Sequence, residues 1–228
     1  DDAAPFDPSQ PVSMRIGALT LENASVSLVG DAFFADTINL VGSRFVFTPG
    51  AWLGPGPVTL EHVREGGKTF GDQFSSGALT LTDSTAHFLG HADIPSVTMN
   101  GGRFRAERGV DIDRLDLVNG GNFRAMAAPG ETSQLGVVSI TESELHLEGT
   151  GFEADSLTGA QQATLTLDST LTTQSFDFTG ESLLIQGAQL GGLVVSGEAD
   201  LSAERITLSG ARLSFAGAID NWDVFGVR

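Results

Sequence analysis

The feature that most constrains this chain of 228 residues is an internal repeat of about twenty residues. Each repeat contains an apolar–polar–apolar triplet, and a period of two is typical of a strand with one buried face. One such unit cannot bury its apolar side alone, so successive units must stack on one another. The triplets are Leu19-Thr20-Leu21, Ile38-Asn39-Leu40, Val58-Thr59-Leu60, Leu79-Thr80-Leu81, Val97-Thr98-Met99, Leu115-Asp116-Leu117, Val138-Ser139-Ile140, Leu165-Thr166-Leu167, Leu183-Leu184-Ile185 and Ile206-Thr207-Leu208.

A second apolar pair follows most triplets five and seven residues later, as Phe104 and Ala106 follow Met99. This pattern predicts inward positions for a set of phenylalanines: Phe45, Phe47, Phe88, Phe104, Phe123 and Phe215. Two residues past the triplet, the intervening turn holds residue types that adopt positive φ at low cost. They are Asn23, Gly42, Asp83, Gly101, Asn119, Gly187 and Gly210. The repeat therefore predicts a coil made of a strand, a tight corner, a second strand and a looser return.

We predict an all-β chain folded as a parallel β-helix (β-solenoid) of about ten coils, each about 20 residues long. The alternative is a Greek-key sandwich, which also has a strand every 8–12 residues or so. A sandwich has no reason to place a corner residue at the same point of successive repeats. The expected organisation is an extended N-terminal segment or cap over 1–14 and a single solenoid over 15–228, with irregular Pro/Gly-containing loops at 48–58 and 61–78.

The repeats at 79–86, 184–190 and 206–213 resemble those of filamentous-haemagglutinin-like exoproteins. The resemblance covers most of the chain from about residue 15 onward. It implies a right-handed parallel β-helix that is secreted to the bacterial surface as a fibre, an adhesin or a structural part of one. It carries no functional residues over to this chain.

Composition excludes several classes of function. A formal charge of −17 would repel the phosphates of a nucleic acid, so we expect no nucleic-acid partner. The chain has no cysteine, which excludes disulfides, thiolate catalysis and thiolate metal sites. No apolar run approaches the ~18 residues of a membrane helix, so we expect no transmembrane segment. The first residues, Asp1-Asp2-Ala3-Ala4-Pro5, are typical of a mature secreted chain and predict an extracellular or cell-surface location.

The outward position between the second apolar pair is basic in four successive repeats, at His87, Arg105, Arg124 and His146. These residues should form one column, which we call the basic ladder, and Arg103 should point to the same side. Arginine binds carboxylates and sulfates bidentately, so the basic ladder is a candidate site for an acidic host or matrix glycan. The alternative is an ordinary solvated exterior, with nearby carboxylates balancing the charge: Glu107, Asp111, Asp113 and Glu144.

Some parallel β-helices cleave acidic polysaccharides, so catalysis is a further candidate function. The candidate residues are Asp111, Asp113, Asp116, Arg114 and Arg105. Acid/base catalysis needs a poised pair of groups, and this pattern is equally that of an exposed acidic strand. His87 and His91 are four residues apart. This spacing would let both side chains bind one metal ion only in a helix. We therefore expect no enzyme, no cofactor and no metal site.

Near the C-terminus, Trp222, Val224 and Phe225 form an apolar group that covers the last coil or contacts another subunit. Uncovered coil ends expose strand edges, which favours head-to-tail assembly into a fibre or a homo-oligomer. The sequence thus predicts an extracellular structural or adhesive β-solenoid of a bacterial surface. The alternative is a β-helix that binds or cleaves acidic polysaccharides.

Overall fold

The computed structural model describes residues 13–29, 32–48, 51–53, 56–63, 73–186, 192–203, 205–209, 211–216 and 219–222. Every regular element among them is a β-strand, and they include no helix that could span a membrane. The first strands are β1 (Ser13–Glu22), β2 (Ser25–Val29), β3 (Ala32–Val41), β4 (Arg44–Thr48), β5 (Ala51–Leu53), β6 (Val58–Glu61), β7 (Gln73–Ser75), β8 (Ala78–Thr82), β9 (Thr85–Phe88), β10 (His91–Asp93), β11 (Ser96–Asn100) and β12 (Arg103–Ala106). The others are β13 (Val110–Val118), β14 (Asn122–Ala127), β15 (Ser133–Thr141), β16 (Glu144–Gly149), β17 (Phe152–Ala160), β18 (Thr164–Asp168), β19 (Thr170–Phe178), β20 (Ser182–Gln186), β21 (Gly192–Val195), β22 (Ala199–Leu201), β23 (Arg205–Ser209), β24 (Arg212–Phe215) and β25 (Ile219–Trp222).

Each coil contributes strand residues to three faces. Faces 1 and 2 belong to one bent 16-stranded sheet, in which a long strand such as β13 pairs with β10 before its bend and with β11 after it. Face 3 is a 7-stranded sheet, preceded by the two-stranded sheet of β2 and β4. All described pairings are parallel. The predicted parallel β-solenoid is therefore confirmed.

The predicted count of ten coils is slightly off, because several triplets lie on a different face from the one expected. The triplets up to Val138-Ser139-Ile140 pair in register on face 2, as predicted. The next residues on that face are Leu157-Thr158-Gly159. The triplets at 165–167, 183–185 and 206–208 lie instead on face 3, in register with Leu145 and Leu147.

Gly159 explains where the prediction failed. It takes the inward position that an apolar side chain fills in the other triplets, and a Cβ there would overlap the Phe178 ring of the next coil. Because glycine adds nothing to the apolar period of two, the pattern skips this strand. The following strand continues face 2 with Phe176 and Phe178, whose side chains are buried.

The core is a column of apolar side chains inside the coils. Phe74, Phe88, Phe104 and Phe123 follow one another through successive coils, with ring centroids 4.6, 4.7 and 4.3 Å apart. Phe88, Phe104 and Phe123 confirm the predicted inward positions, whereas Phe74 is not among the predicted residues. The side chains of the predicted Phe45 and Phe47 lie outside the described part of the chain. Phe215 was predicted on the wrong face: with Leu213 it belongs to β24, pairs with β21 on face 1 and is only half-buried.

The corners between faces 2 and 3 adopt the left-handed conformation that the sequence predicts. The angle φ is 49° at Asn23, 56° at Gly42, 44° at Asp83, 72° at Gly101 and 54° at Asn119. Gly187 and Gly210 lie outside the described residues. The same corner imposes positive φ on residue types that seldom adopt it, at His62, Glu142 and Gln161.

A buried serine hydroxyl joins neighbouring corners. The Ser84 hydroxyl donates to the Thr82 carbonyl at 2.8 Å and accepts the Val63 N–H of the previous coil at 2.9 Å. Ser43 and Ser143 make the same pair of hydrogen bonds in their own coils. Each hydroxyl satisfies a backbone donor and a backbone acceptor that the turn would otherwise leave unpaired.

The segments predicted as irregular loops contain short strands. β5 lies within 48–58, β7 lies within 61–78, and the two strands pair with each other on face 1. Ser13 and Met14, predicted within the N-terminal segment, already belong to β1. Residues 1–12 and 64–72 lie outside the described part of the chain.

Candidate functional site

The predicted basic ladder exists on face 3. His87 pairs with Arg105, Arg105 with Arg124, and Arg124 with His146, so the four side chains lie on adjacent strands at one register position. Within each strand, the ladder residue lies between two buried residues, so its side chain points outward. Beyond His146 the column continues as Thr166 and Leu184. Ser214, which the repeat pattern aligns with this column, lies on face 1 instead.

The column beside the basic ladder contains Glu107 and Glu148, with Met126 between them, and its carboxylates neutralise the two arginines of the ladder. Glu107 Oε1 lies 2.9 Å from His87 Nε2 and 3.5 Å from Arg105 Nη2. Glu148 Oε1 lies 2.5 Å from Arg124 Nε. The hydrogen bond to Glu148 raises the pKa of the Arg124 guanidinium above its ordinary value. The ladder is therefore ion-paired, rather than a free basic stripe.

Two carboxylates meet at one nitrogen of His146. Its Nε2 atom lies 3.1 Å from Glu148 Oε1 and 2.9 Å from Asp168 Oδ2. Glu148 shares the strand with His146, and Asp168 is the register partner of Glu148 on the next coil. Sequence analysis missed Glu148 and Asp168, although each lies two residues beyond a ladder position and so points to the same side.

Arg103 lies in a different environment from Arg105. It belongs to a polar column at the start of face 3, in register with Thr85 and Asn122, and the column continues through Glu144 and Thr164. These residues line an open groove of about 760 Å³ that runs across several coils. Among the described residues, no carboxylate lies within 4.0 Å of a guanidinium nitrogen of Arg103. Its charge is therefore available to a ligand.

The groove is acidic overall. Besides Arg103 it is lined by Glu142, Glu144 and Glu181, and Asn122 Nδ2 donates to Glu144 Oε2. Carboxylates, amides and hydroxyls bind the hydroxyl groups of a ligand well and repel its anions. The groove therefore suits a neutral, hydroxyl-rich ligand better than a polyanion.

The structure does not bring the candidate catalytic residues together. Arg114 binds the Asp116 carboxylate with two hydrogen bonds, of 2.7 and 3.0 Å, which raise the pKa of its guanidinium. Asp111 Oδ2 lies 3.1 Å from His91 Nε2. Arg105 is on face 3, in a different sheet from these residues. Asp111 and Asp116 thus have structural partners, and the candidate residues form no common acid/base centre.

Of the three candidate assembly residues, the structure describes only the backbone of Trp222. Trp222 is the last residue of β25, where its backbone pairs with Leu201 of the previous coil. Val224 and Phe225 lie outside the described residues. Comparisons of the chain with family models, curated proteins and solved structures found no match.

Proposed function

We propose that this protein is an extracellular structural or adhesive rod of a bacterial surface, either alone or as the subunit of a filament. The observation that carries the proposal is the register of the coils, in which partners 18 to 23 residues apart align residue by residue on all three faces. Such a stack is rigid along its axis, because each coil is hydrogen-bonded to the next and shares a continuous apolar core.

A rod of this kind presents outward side chains in straight columns with a spacing of about 4.8 Å. That display suits repetitive contact with a surface or with another copy, and it needs no enclosed pocket. The resemblance of the repeats to those of secreted surface fibres supports the same function. The proposal assigns no catalytic step and no cofactor to the chain.

Electron microscopy of the purified protein over a concentration series tests the proposal, with light scattering to report mass. We expect elongated particles, which add end to end as the concentration rises if the chain is a filament subunit. Compact round particles at every concentration would reject the rod. A constant single-chain mass would reject the filament and leave the single adhesive rod.

A second candidate function is glycan binding along the groove that contains Arg103. Each coil along this groove contributes at least one polar side chain, and the coil spacing is comparable to the length of one monosaccharide unit. The acidic lining favours a neutral glycan over the acidic polysaccharide that the sequence predicts. The paired ladder residues Arg105 and Arg124 would release a carboxylate before binding a polyanion, which disfavours that ligand further.

A glycan array with three variants tests this second candidate. Arg103→Ala and Asn122→Ala should each weaken binding of a neutral glycan at least about tenfold, the worth of one or two hydrogen bonds. Arg105→Ala, on the same strand as Arg103 but outside the groove, should leave that binding unchanged. Binding only to acidic glycans, lost in Arg105→Ala, would favour the basic ladder and reject the groove.

A further inference from the structure

We propose that His146, Glu148 and Asp168 form a binding site for a divalent transition metal of the Zn²⁺ class on face 3. Each residue offers one ligand atom, and the three atoms all lie within 4.8 Å of one another. One imidazole nitrogen with two carboxylate oxygens is a donor set that Zn²⁺ and its first-row neighbours accept. This site is separate from the Arg103 groove and does not depend on the proposed function.

Ordinary hydrogen bonding accounts for only one of the two carboxylate contacts of His146, the one with Asp168. His146 Nε2 lies 3.1 Å from Glu148 Oε1 and 2.9 Å from Asp168 Oδ2, but a single N–H aims well at only one acceptor. Tetrahedral ligands about 2.0–2.1 Å from Zn²⁺ are themselves about 3.3 Å apart. A small movement of the side chains would therefore place all three atoms around one ion.

His91 provides an internal comparison. Its Nε2 lies 3.1 Å from Asp111 Oδ2, as in a simple pair. In the described part of the chain, no second carboxylate oxygen comes within 4.0 Å of that ring. His91 therefore lacks the second carboxylate that meets the ring nitrogen of His146.

The fold holds the three ligands in place. His146 and Glu148 are two residues apart on β16 and share its outward side, on either side of the fully buried Leu147. Asp168 lies opposite Glu148 on β18, next to the buried Leu167. Backbone pairing thus fixes the Cα positions, and only side-chain rotamers remain to be ordered by the metal.

Arg124 supplies the second shell. Its Nε forms an ion pair with Glu148 Oε1, and a charged partner of this kind orients a ligating carboxylate. The Glu148 side chain is only 14% exposed, whereas Asp168 is 36% exposed and leaves an entry path. With a neutral imidazole, the two carboxylates and Arg124 carry a net charge of −1, and the surrounding chain adds to the attraction for a cation at a total of −17. Three protein ligands leave further coordination positions to water.

Calorimetric titration of the EDTA-treated full-length chain with ZnCl₂, and with CoCl₂ for its visible spectrum, tests the site. We expect one site per chain and a tetrahedral Co²⁺ spectrum. His146→Ala, Glu148→Gln and Asp168→Asn should each weaken binding by at least about tenfold to a hundredfold, since losing even a second-shell partner costs that much. His91→Ala is the matched control and should bind as the wild type does.

A measurement on the unmodified chain avoids dependence on the folding of variants. In NMR spectra, Zn²⁺ should shift the ring signals of His146 and leave those of His91 in place. The proposal is overturned if no stoichiometric binding occurs, if the His146 ring does not respond, or if His91→Ala lowers affinity as much as His146→Ala.

Discussion

Truncation of Phe104 to alanine tests the stacked core most directly. The Phe104 side chain is 1% exposed and lies between two other rings, 4.7 Å from Phe88 and 4.3 Å from Phe123. A buried Phe→Ala change costs about 3–5 kcal/mol, from lost transfer free energy and from the cavity left behind. Because two aromatic contacts are lost together, each worth about 0.5–1.5 kcal/mol, we expect the upper half of that range.

The free energy of unfolding is measured by urea denaturation, and hydrogen exchange locates the loss. Because each coil contacts only its neighbours, exchange should accelerate most in β9, β12 and β14. The matched control is Arg105→Ala, one residue along the strand but outward, whose ion pair with Glu107 is worth about 0–1 kcal/mol. A loss below about 1 kcal/mol for Phe104→Ala, or equal losses for both variants, would refute the inward column.

Three further substitutions have definite expected effects, measured by the same denaturation. Gly159→Ala places a methyl group against the Phe178 ring, and this overpacking should cost about 1–3 kcal/mol; a neutral result would contradict the packing. Gln161→Gly relieves a φ of 56° and should stabilise the chain by about 0.5–1 kcal/mol, whereas a loss would show that the corner is unstrained. Ser84→Ala leaves the Val63 N–H without its partner and should cost about 1–3 kcal/mol; Ser84→Thr, which keeps the hydroxyl, should restore part of the loss.

Much of the fold is predictable because both periodicities of a solenoid are present in the chain. The period of two marks each strand, and the repeat of about twenty residues marks each coil. The prediction fails where packing replaces an apolar residue with glycine, since Gly159 is required by Phe178 of the next coil. That requirement is a contact between coils, so it is invisible in the local pattern of either strand.

The basic ladder was predictable for the same reason, because its members share one register position. The alternative of a charge-balanced exterior included Glu107 but not Glu148. Glu107 lies two residues after Arg105, and Glu148 two residues after His146, so alternation alone places these carboxylates on the outward side next to the ladder. The meeting of Glu148 with Asp168 needed the correct register between β16 and β18, which the misassigned triplet at 165–167 had obscured.

The net charge of this surface is set by two neighbouring columns of side chains together, and not by either column alone. Arg105 and Arg124 are direct register partners, and like charges so placed destabilise a sheet on their own. Glu107, two residues after Arg105, and Glu148, on the strand next to Arg124, give each arginine an opposite charge within 4 Å, so the stacked arginines become tolerable. The same carboxylates remove the attraction for a polyanion and leave an excess of acidic groups around His146. The ladder column is basic by itself. Together with the neighbouring carboxylates, the same surface suits a cation better than an anion.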